Sequence, residues 1–425
     1  MGCLKDLGPS LYGRVGEGMP SHPPTRFLLC SRLRSRFVGR RRRERKLGCR
    51  ALEMSSGREA LGSRERQGRP LVADHLRRGR GARSNQVGRF ERELREAVDD
   101  GWAGDDEHPP FSTEVHRETA KSIIAFNDSP DLSFDRSINP YRGCEHGCSY
   151  CYARPTHCFL GHSAGLDFET KLYAKVNAAE LLEQELANPN YQPKLIALGA
   201  VTDPYQPIER EHRISRAILE VLDRASHPVG IVTKSALVVR DIDILARMAS
   251  RRLVKVAISV TTLDRALARK MEPRAAAPHR RLATIKALRE AGVPVAVLMA
   301  PIVPALNDSE IERVLAAAEA AGAEEAGYVL LRLPLELKML FREWLETEFP
   351  DRAARVINVL RSMHGGKDYT PEWRVRQCGQ GPYAQQIGAR FRLAVKRLGM
   401  NVRNHRVTTT LFQRPLLKGS QLPLL

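Results

Sequence analysis

Three cysteines lie close together in a glycine-containing segment of the chain. Cys144, Cys148 and Cys151 are separated by three and then two residues. Gly143 and Gly147 allow this segment to curl so that the three thiolates converge. Three thiolates can hold three irons of a cubane iron–sulfur cluster and leave the fourth iron open to a substrate or cofactor. The motif therefore predicts a metal site with one open coordination position.

A zinc site is the alternative for the same segment. A tetrahedral zinc ion needs a fourth ligand, and Cys158, His146 or His157 could supply it. Zinc-binding sequences usually contain two separated Cys-x-x-Cys pairs, whereas no second pair follows here. The spacing therefore favours a cluster but leaves zinc open.

The cysteine segment directly follows the first of six short apolar runs that predict β-strands. The runs lack strict alternation, as expected of strands buried on both faces of a parallel sheet. They cover residues 136–141, 195–201, 229–233, 253–260, 293–303 and 327–333. Apolar residues at helical spacing lie between them, for example Ile214, Ile218 and Val221.

This alternation of strands and helices predicts an α/β fold built from βα units with right-handed crossovers. A capping box at 309–312 predicts the start of one helix, and Gly292 and Gly322 stand where two helices should end. Six units are fewer than a full eight-unit barrel and many for a minimal open sheet. In either arrangement ligands bind at the carboxyl ends of the strands.

The composition divides the chain into a basic extension and a more neutral body. The 425 residues carry a net charge of +19, with 42% hydrophobic and 28% charged residues, which is typical of a chain that mostly folds. Residues 1–86 alone carry 21 Lys and Arg against 7 Asp and Glu, a net charge of +14, which leaves +5 for the rest. The basic excess is therefore a property of the extension.

We expect residues 1–78 to be a disordered Arg-rich extension, because such a composition cannot bury enough apolar surface to offset the ordering entropy. Three explanations stay open for it. It could bind nucleic acid, it could be a leader read through from a mis-set start codon with Met54 as the true start, or it could be a transit peptide. The third is the least favoured, because no sustained amphipathic stretch accompanies it.

The remaining chain divides into four parts by pattern. We expect a lead-in segment at 79–135, a core barrel at 136–335, a helical extension at 336–400 and a loose tail at 401–425. No run reaches the 18 or so apolar residues that a membrane span needs, so we expect no membrane partner. Clustered cysteines and the lack of a clear signal peptide favour a cytoplasmic location.

The motif Cys-x-x-x-Cys-x-Tyr-Cys after the first strand resembles that of the radical S-adenosylmethionine (SAM) superfamily. Further segments resemble the spore photoproduct lyase-like branch, also called DNA-repair-photolyase-like. These segments are Ser-Ile-Asn-Pro-Tyr-Arg-Gly-Cys at 137–144, Thr-Asp-Pro-Tyr-Gln-Pro at 202–207, Thr-Lys-Ser at 233–235 and Ser-Val-Thr-Thr at 259–262. The resemblance extends from about residue 79 to 398.

The resemblance implies a partial (β/α)6 TIM-type barrel with a 4Fe-4S cluster at its mouth. Cys144, Cys148 and Cys151 would each ligate one iron, and SAM would chelate the fourth. One electron from a donor such as flavodoxin or ferredoxin would cleave SAM to methionine and a 5′-deoxyadenosyl radical. The radical would abstract hydrogen from a substrate that the sequence does not identify. Nucleic acid is a candidate, through the likeness to a DNA-repair lyase.

The resemblance also implies residues that bind SAM. Tyr150 matches a position that packs near adenine, and Lys234 matches a lysine that pairs with the methionyl carboxylate. Asp203 ends the segment that positions the methionyl amino group, although the usual Gly-Gly-Glu is absent there. Ser259 and Thr261 alternate along the fourth strand and could both face the ribose or the carboxylate.

A different class of function competes with the enzyme: a zinc- or cluster-stabilised protein that binds nucleic acid without radical chemistry. The βα repeat argues against it, because a binding module does not need six such units. Neither Cys158 nor Cys378 matches a motif that would give it a role. Arg274 and Arg281 follow the fourth strand and could contact a substrate phosphate or simply face solvent.

Overall fold

The computed structural model describes residues 72–91, 111–402 and 405–417. Their strands are β1 (Glu114–Glu118), β2 (Ile124–Phe126), β3 (Arg136–Ile138), β4 (Tyr141–Arg142), β5 (Lys171–Lys175), β6 (Ile196–Leu198), β7 (Val229–Thr233), β8 (Val254–Ser259), β9 (Val295–Ile302) and β10 (Glu325–Leu330).

The α-helices of the same residues follow the strands in alternation and then continue alone. They are α1 (Asp167–Thr170), α2 (Ala178–Ala187), α3 (Glu209–His212), α4 (Ile214–Arg224), α5 (Ile242–Ser250), α6 (Arg265–Met271), α7 (Pro278–Glu290), α8 (Ile311–Ala320), α9 (Leu337–Glu348), α10 (Pro350–Ser362) and α11 (Gly381–Arg397). Within these ranges, no helix combines the length and the apolar character that crossing a bilayer requires.

The main sheet has the strand order β10-β9-β8-β7-β6-β3-β2. The six strands from β3 to β10 in this order are all parallel, and β2 is added antiparallel to β3. All six residues of β8 are buried, as expected of a strand covered on both faces. Five of the six predicted runs contain one of the parallel strands, and the sixth, at 327–333, overlaps β10, which begins at Glu325. The structure thus confirms the α/β fold with a partial (β/α)6 barrel.

A smaller sheet introduces the cysteine segment. Strand β5 pairs parallel with β1 and antiparallel with β4. Since β4 ends at Arg142, the cysteine loop starts directly from this sheet, beside the carboxyl end of β3. Both sheets therefore fix the starting point of the loop.

The last residues of the predicted disordered extension pack on the body of the protein. Residues 72–78 were assigned to the disordered extension, but the structure gives them turns that pack on the body. The amide of Val72 donates to the carbonyl of Arg83 at 2.9 Å, and Arg77 is buried. The rest of the predicted extension lies outside the described residues.

The prediction of a loose tail is also wrong for residues 405–417. The amide of Thr408 donates to the carbonyl of Arg252 at 2.9 Å, and that of Gln413 donates to the carbonyl of Ala225 at 2.8 Å. The ring of Phe412 packs edge-on against His227 with 5.5 Å between the ring centroids. An aromatic anchor and backbone hydrogen bonds hold this segment, while residues 418–425 lie outside the described part.

The helix-end signals are correct at two sites and wrong at a third. Gly292 and Gly322 follow α7 and α8 with φ of +76° and +103°, as helix-terminating glycines should. The capping box at 309–312 does not form, because residues 308–310 make a 3-10 turn before α8. The carboxylate of Glu312, the acidic residue of the box, instead accepts from the Arg390 guanidinium at 2.8 and 2.6 Å. A tertiary hydrogen bond has replaced the local cap.

Candidate functional site

A cavity of about 240 Å³ lies at the carboxyl ends of the parallel strands. It is the place where the fold class is expected to bind ligands. Of the residues predicted as site residues, seven line it: Cys144, Cys148, Cys151, Tyr150, Asp203, Lys234 and Ser259. Thr261 does not line it. The structure therefore brings together all but one of the predicted side chains.

The three cysteines of the loop meet this cavity as free thiols. Cys144 and Cys148 are buried, and Cys151 is half-buried. Burial raises the pKa of the Cys148 thiol to about 12 and raises the pKa of Cys144 above its ordinary value. A metal that binds them must therefore displace their protons.

The arrangement of the three cysteine thiols distinguishes between a single metal ion and the cubane cluster that the motif implies. Among the described residues, no three His, Cys, Asp or Glu side chains converge closely enough to hold one metal ion. The three thiols instead border one shared cavity. Sulfur donors around a cavity suit a cluster, whose irons occupy separate corners and each need one thiolate. The residues present thus fit a cubane cluster.

Two glycines give the cysteine loop its shape, as the sequence analysis expected. Gly143 and Gly147 have φ of +74° and +66°, in the left-handed region that favours glycine. A Cβ at Gly143 would lie 2.8 Å from the carbonyl oxygen of Phe168, and one at Gly147 would lie 2.5 Å from a carboxylate oxygen of Glu169. The loop has no space for a side chain at either position.

A segment from the N-terminal part of the described chain presses on the cysteine loop from one side. A Cβ on Gly81 would lie only 1.7 Å from the carbonyl oxygen of Gly147, so the two backbones are in direct contact. The amides of Gly81 and Ala82 each donate to the Glu169 carboxylate at 2.8 Å. We call residues 80–82 the strap.

A buried ion pair connects the strap to the loop. Glu169 pairs with Arg154, and neither side chain has any solvent exposure. The Arg154 Nε donates to the carbonyl oxygen of Cys148 at 2.9 Å. Sequence reasoning missed both residues, because a Glu and an Arg that are 15 positions apart carry no motif. Only their complete burial identifies them as part of the site's support.

The end of α6 and the chain that follows it hold the other side of the cysteine loop through backbone hydrogen bonds. The amide of Ser149 donates to the carbonyl of Met271 at 3.0 Å, and the amide of Arg274 donates to the carbonyl of His146 at 3.2 Å. The Arg274 side chain pairs with Glu145 in the same loop. Arg274 therefore supports the cysteine loop. The sequence analysis had expected it either to contact a substrate phosphate or to face solvent.

Glu272 connects several of these elements within the core. Its carboxylate accepts from the hydroxyl of Tyr150, from the hydroxyl of Thr261 at 2.9 Å and from the guanidinium of Arg281. Burial alone would raise the pKa of Glu272, but the positive charges of Arg281 and Lys234 lower it. Thr261 thus faces Glu272 rather than the cavity, and Arg281 is a buried partner rather than a phosphate or solvent contact.

Asp203 lines the cavity, but protein donors already occupy its carboxylate. One oxygen accepts from the amide of Tyr205 at 2.9 Å and the hydroxyl of Thr233 at 2.7 Å. The other accepts from the amide of Lys234 at 2.8 Å and lies 3.3 Å from His146 Nδ1. Burial alone would raise the pKa of Asp203, but His146 and these hydrogen bonds lower it to about 2.

Lys234 supplies a cation to the cavity wall. Its Nζ lies 5.7 Å from the centre of the Tyr150 ring. Burial alone would lower the pKa of Lys234, but the electrostatic influence of Cys148 and Glu272 raises it. Ser259, the last residue of β8, lines the same cavity and is buried. The cavity therefore presents thiols, an ammonium group and a hydroxyl to a ligand.

The two remaining cysteines of the described chain stand apart from this set. Cys158 is buried against Gly88, where a Cβ would lie 3.2 Å from its sulfur, and it does not line the cavity. Cys378 is half-buried next to Gln377, which does line the cavity. Neither thiol joins the group formed by Cys144, Cys148 and Cys151.

An open parallel barrel with three cysteines at its mouth defines an iron–sulfur barrel protein. Comparison with known proteins gives the family. The family model for the radical SAM superfamily matches residues 138–318. An uncharacterised protein of Mycobacterium tuberculosis strain H37Rv is 36% identical over 251 residues, which cover 58% of this chain and 73% of that protein. The chain belongs to the radical SAM superfamily.

Two further comparisons extend this result. An uncharacterised protein of Methanocaldococcus jannaschii is 30% identical over 173 residues, which cover 41% of this chain and 62% of that protein. A spore photoproduct lyase variant has a similar fold, with a TM-score of 0.50 at 16% identity over 67% of this chain and 80% of that one. The likeness to the spore photoproduct lyase-like branch is therefore confirmed for the fold.

Membership of the superfamily decides between the two classes of function. The chain is a radical SAM enzyme, and this family uses a 4Fe-4S cluster and SAM. Its chemistry requires a one-electron donor. The non-radical binding protein that the sequence analysis kept as an alternative is thereby rejected.

The contact between Gly81 and Gly147 generates the first prediction. Gly81→Ala should lower the free energy of unfolding by about 1–3 kcal/mol, because the new methyl group must displace backbone. It should also lower the iron bound after anaerobic reconstitution, because the cysteine loop must move. Urea unfolding and iron analysis measure the two effects. Gly230→Ala is the matched control, since its Cβ would meet Leu195 at an ordinary 3.7 Å. Equal behaviour of the two variants would contradict a close strap.

Proposed function

We propose that Cys144, Cys148 and Cys151 ligate a 4Fe-4S cluster with which this enzyme cleaves SAM and abstracts hydrogen from a nucleic-acid substrate. The observation that supports this most directly is the shared cavity, in which the three thiols meet the Lys234 ammonium group at the strand ends. When bound, the cluster supplies the electron that cleaves SAM, and the cleavage provides the radical that abstracts hydrogen.

The surrounding chain prepares the loop for this cofactor. The strap, the Glu169–Arg154 pair and the Met271 carbonyl hold the loop backbone before any metal binds. Their hydrogen bonds limit how far the three sulfurs can separate. A prearranged donor set reduces the entropy that ligation would otherwise cost. This arrangement also keeps water away from two of the three thiols.

Four cavity residues are proposed to bind SAM or to position the residues that do. Lys234 pairs with the methionyl carboxylate, and Ser259 donates its hydroxyl to the ribose or the carboxylate. Tyr150 offers its ring to adenine while Glu272 fixes its hydroxyl. Asp203 acts as a positioning residue, because each of its oxygens already has two protein partners.

We propose nucleic acid as the substrate because of the basic charge of the chain and the similarity of its fold to a known enzyme. The basic charge lies mainly in residues 1–86, which carry +14 of the chain's net +19, and the fold is similar to that of a spore photoproduct lyase. Polyanions gather at basic surfaces by counterion release. We propose flavodoxin or ferredoxin as the electron donor. We also propose a cytoplasmic location, consistent with the free thiols of Cys144, Cys148, Cys151 and Cys158.

The ligand assignment predicts which cysteines hold iron. Replacing Cys144, Cys148 or Cys151 by Ala should abolish the binding of about four irons and four sulfides per chain, because two thiolates cannot hold the cluster with an open iron. Iron and sulfide analysis after anaerobic reconstitution provides the measurement. Cys158→Ala is the control and should bind iron as the parent does. Loss of iron in the control would show that the ligand set is different.

The proposed SAM site predicts a variant that keeps its cluster but loses chemistry. Lys234→Ala should bind normal iron yet release 5′-deoxyadenosine at least about a hundredfold more slowly, because a misplacement of about 1 Å can cost that much. Product is quantified after adding SAM and a strong one-electron reductant. Lys286→Ala, on the exposed face of α7, should match the parent. Undiminished cleavage by Lys234→Ala would reject its role.

The proposed substrate class predicts where the abstracted hydrogen comes from. UV-irradiated DNA should accelerate 5′-deoxyadenosine release by the parent protein, and deuterium in the DNA should appear in that product. Undamaged DNA, RNA and peptides serve as comparison substrates under the same reducing conditions. Transfer from a peptide alone would replace nucleic acid as the substrate class while leaving SAM cleavage intact.

A further inference from the structure

A second cation lines the cavity, and nothing in the SAM site explains it. Arg332 follows β10, the last parallel strand, and its side chain lines the cavity wall. Its Nε is buried without a hydrogen-bond acceptor. No ion pair joins Arg332 to any carboxylate of residues 72–91, 111–402 or 405–417. The guanidinium is therefore available to an incoming anion.

The guanidinium is nevertheless held in place. Its central carbon lies 4.9 Å from the centre of the Tyr152 ring. The Tyr152 hydroxyl donates to the carbonyl of Ala200, which fixes one end of the ring, while 45% of the residue remains exposed. A guanidinium stacked on a ring keeps its donors free in its own plane. Arg332 and Tyr152 thus form a preorganised pair with an anion-binding edge.

Two other arginines near the site already pair with carboxylates of the protein. Arg154 pairs with Glu169, and Arg281 pairs with Glu272. An interior cation costs desolvation energy that an anion normally offsets. Each of these two arginines has its anion within the protein. Arg332 differs from them, because no carboxylate of the described residues pairs with its half-buried side chain.

A second exposed ring lies on a loop at the same cavity. Asp131 accepts from the Arg376 Nε at 2.6 Å and so joins two loops. Leu132 of the first loop and Gln377 of the second line the cavity. Trp373, on the second loop, is 53% exposed. A cation stacked on an exposed ring, as Arg332 is on Tyr152, is an arrangement with which proteins bind single-stranded nucleic acid, by pairing with phosphate and stacking with bases.

We propose that Arg332, stacked on Tyr152, binds a backbone phosphate of a single-stranded segment of the substrate. This inference rests on the proposed nucleic-acid substrate and names the contact that recognises it. Lys234 belongs to the Tyr150 and Glu272 side of the cavity, so the two cations serve different anions. Arg332 is a recognition residue here and takes no part in bond breaking.

The test uses the anaerobically reconstituted full chain and a fluorescent single-stranded thymidine dodecamer. Arg332→Gln should raise the Kd, measured by anisotropy, about tenfold, as expected for a hydrogen bond to a charged group. The slope of log affinity against log salt should fall by about 0.7, the value for one lost phosphate contact on a single strand. Arg332→Lys should lie between, because it keeps the charge and loses the planar fork. Arg313→Gln, on the exposed face of α8, is the matched control and should leave both values unchanged.

Two further measurements separate the phosphate from other contacts. With a methylphosphonate dodecamer, whose backbone is uncharged, Arg332→Gln should change the Kd by less than about twofold, since the contact it removes is electrostatic. The affinity for SAM, measured by equilibrium dialysis, should be unchanged. An unchanged Kd and salt slope for the charged dodecamer would overturn the proposal. A loss of SAM affinity alone would assign Arg332 to the SAM carboxylate and overturn it as well.

The failures of the two proposals are distinguishable. If the parent binds the dodecamer and cleaves SAM, but Arg332→Gln does both equally well, only the phosphate contact is wrong. If the parent shows no SAM cleavage, the proposed chemistry fails whatever the anisotropy shows. If the parent does not bind the dodecamer and instead binds an acidic peptide through Arg332, the nucleic-acid contact is overturned in favour of a peptide.

Discussion

The site depends on one backbone contact, that between Gly81 and Gly147. A Cβ on Gly81 would lie 1.7 Å from the Gly147 carbonyl oxygen, and one on Gly147 would lie 2.5 Å from the Glu169 carboxylate, so neither position can carry a side chain. The contact is possible because Glu169 accepts both strap amides and, through Arg154, is connected to the carbonyl of Cys148. A loop rich in glycine is intrinsically costly to order. The strap and the ion pair offset that cost by confining the loop from outside.

Buried carboxylates perform the same task at three places around the cavity. Glu169 holds the strap, Glu272 holds Tyr150, and Asp203 holds the strand ends that carry Thr233 and Lys234. Each would be costly to bury alone, and each is satisfied by several donors from distant parts of the chain. The cavity wall is thereby fixed by groups that need not touch a ligand. Side chains that face the cavity can then differ in chemistry without loosening the barrel.

The sequence predicted the parallel strands and seven of the residues that line the cavity, because both depend on local patterns. Apolar runs mark the strands, and the three cysteines lie within one loop. The sequence did not reveal Glu169, Arg154 or Glu272, since their partners are brought near only by the fold. Thr261 was misplaced for a related reason: alternation along a strand predicts which face a side chain takes but not which neighbour it meets. The capping box did not form, since the Glu312 carboxylate pairs with the distant Arg390 instead of the local backbone.

The two cations of the cavity wall differ in how their charge is balanced. Lys234 lies among negative groups of the protein, which raise its pKa, so a ligand there exchanges one set of favourable interactions for another. Arg332 has a ring beneath it and an Nε without an acceptor, so an anion there adds an interaction that the free protein lacks. In a cavity of low dielectric constant, this difference favours the anion at Arg332 more strongly. A site that recognises its substrate through a charge without a protein partner discriminates against neutral molecules, because these would leave the buried Arg332 Nε without an acceptor. The charge balance of the wall, rather than its shape alone, then selects what is brought next to the cysteine loop.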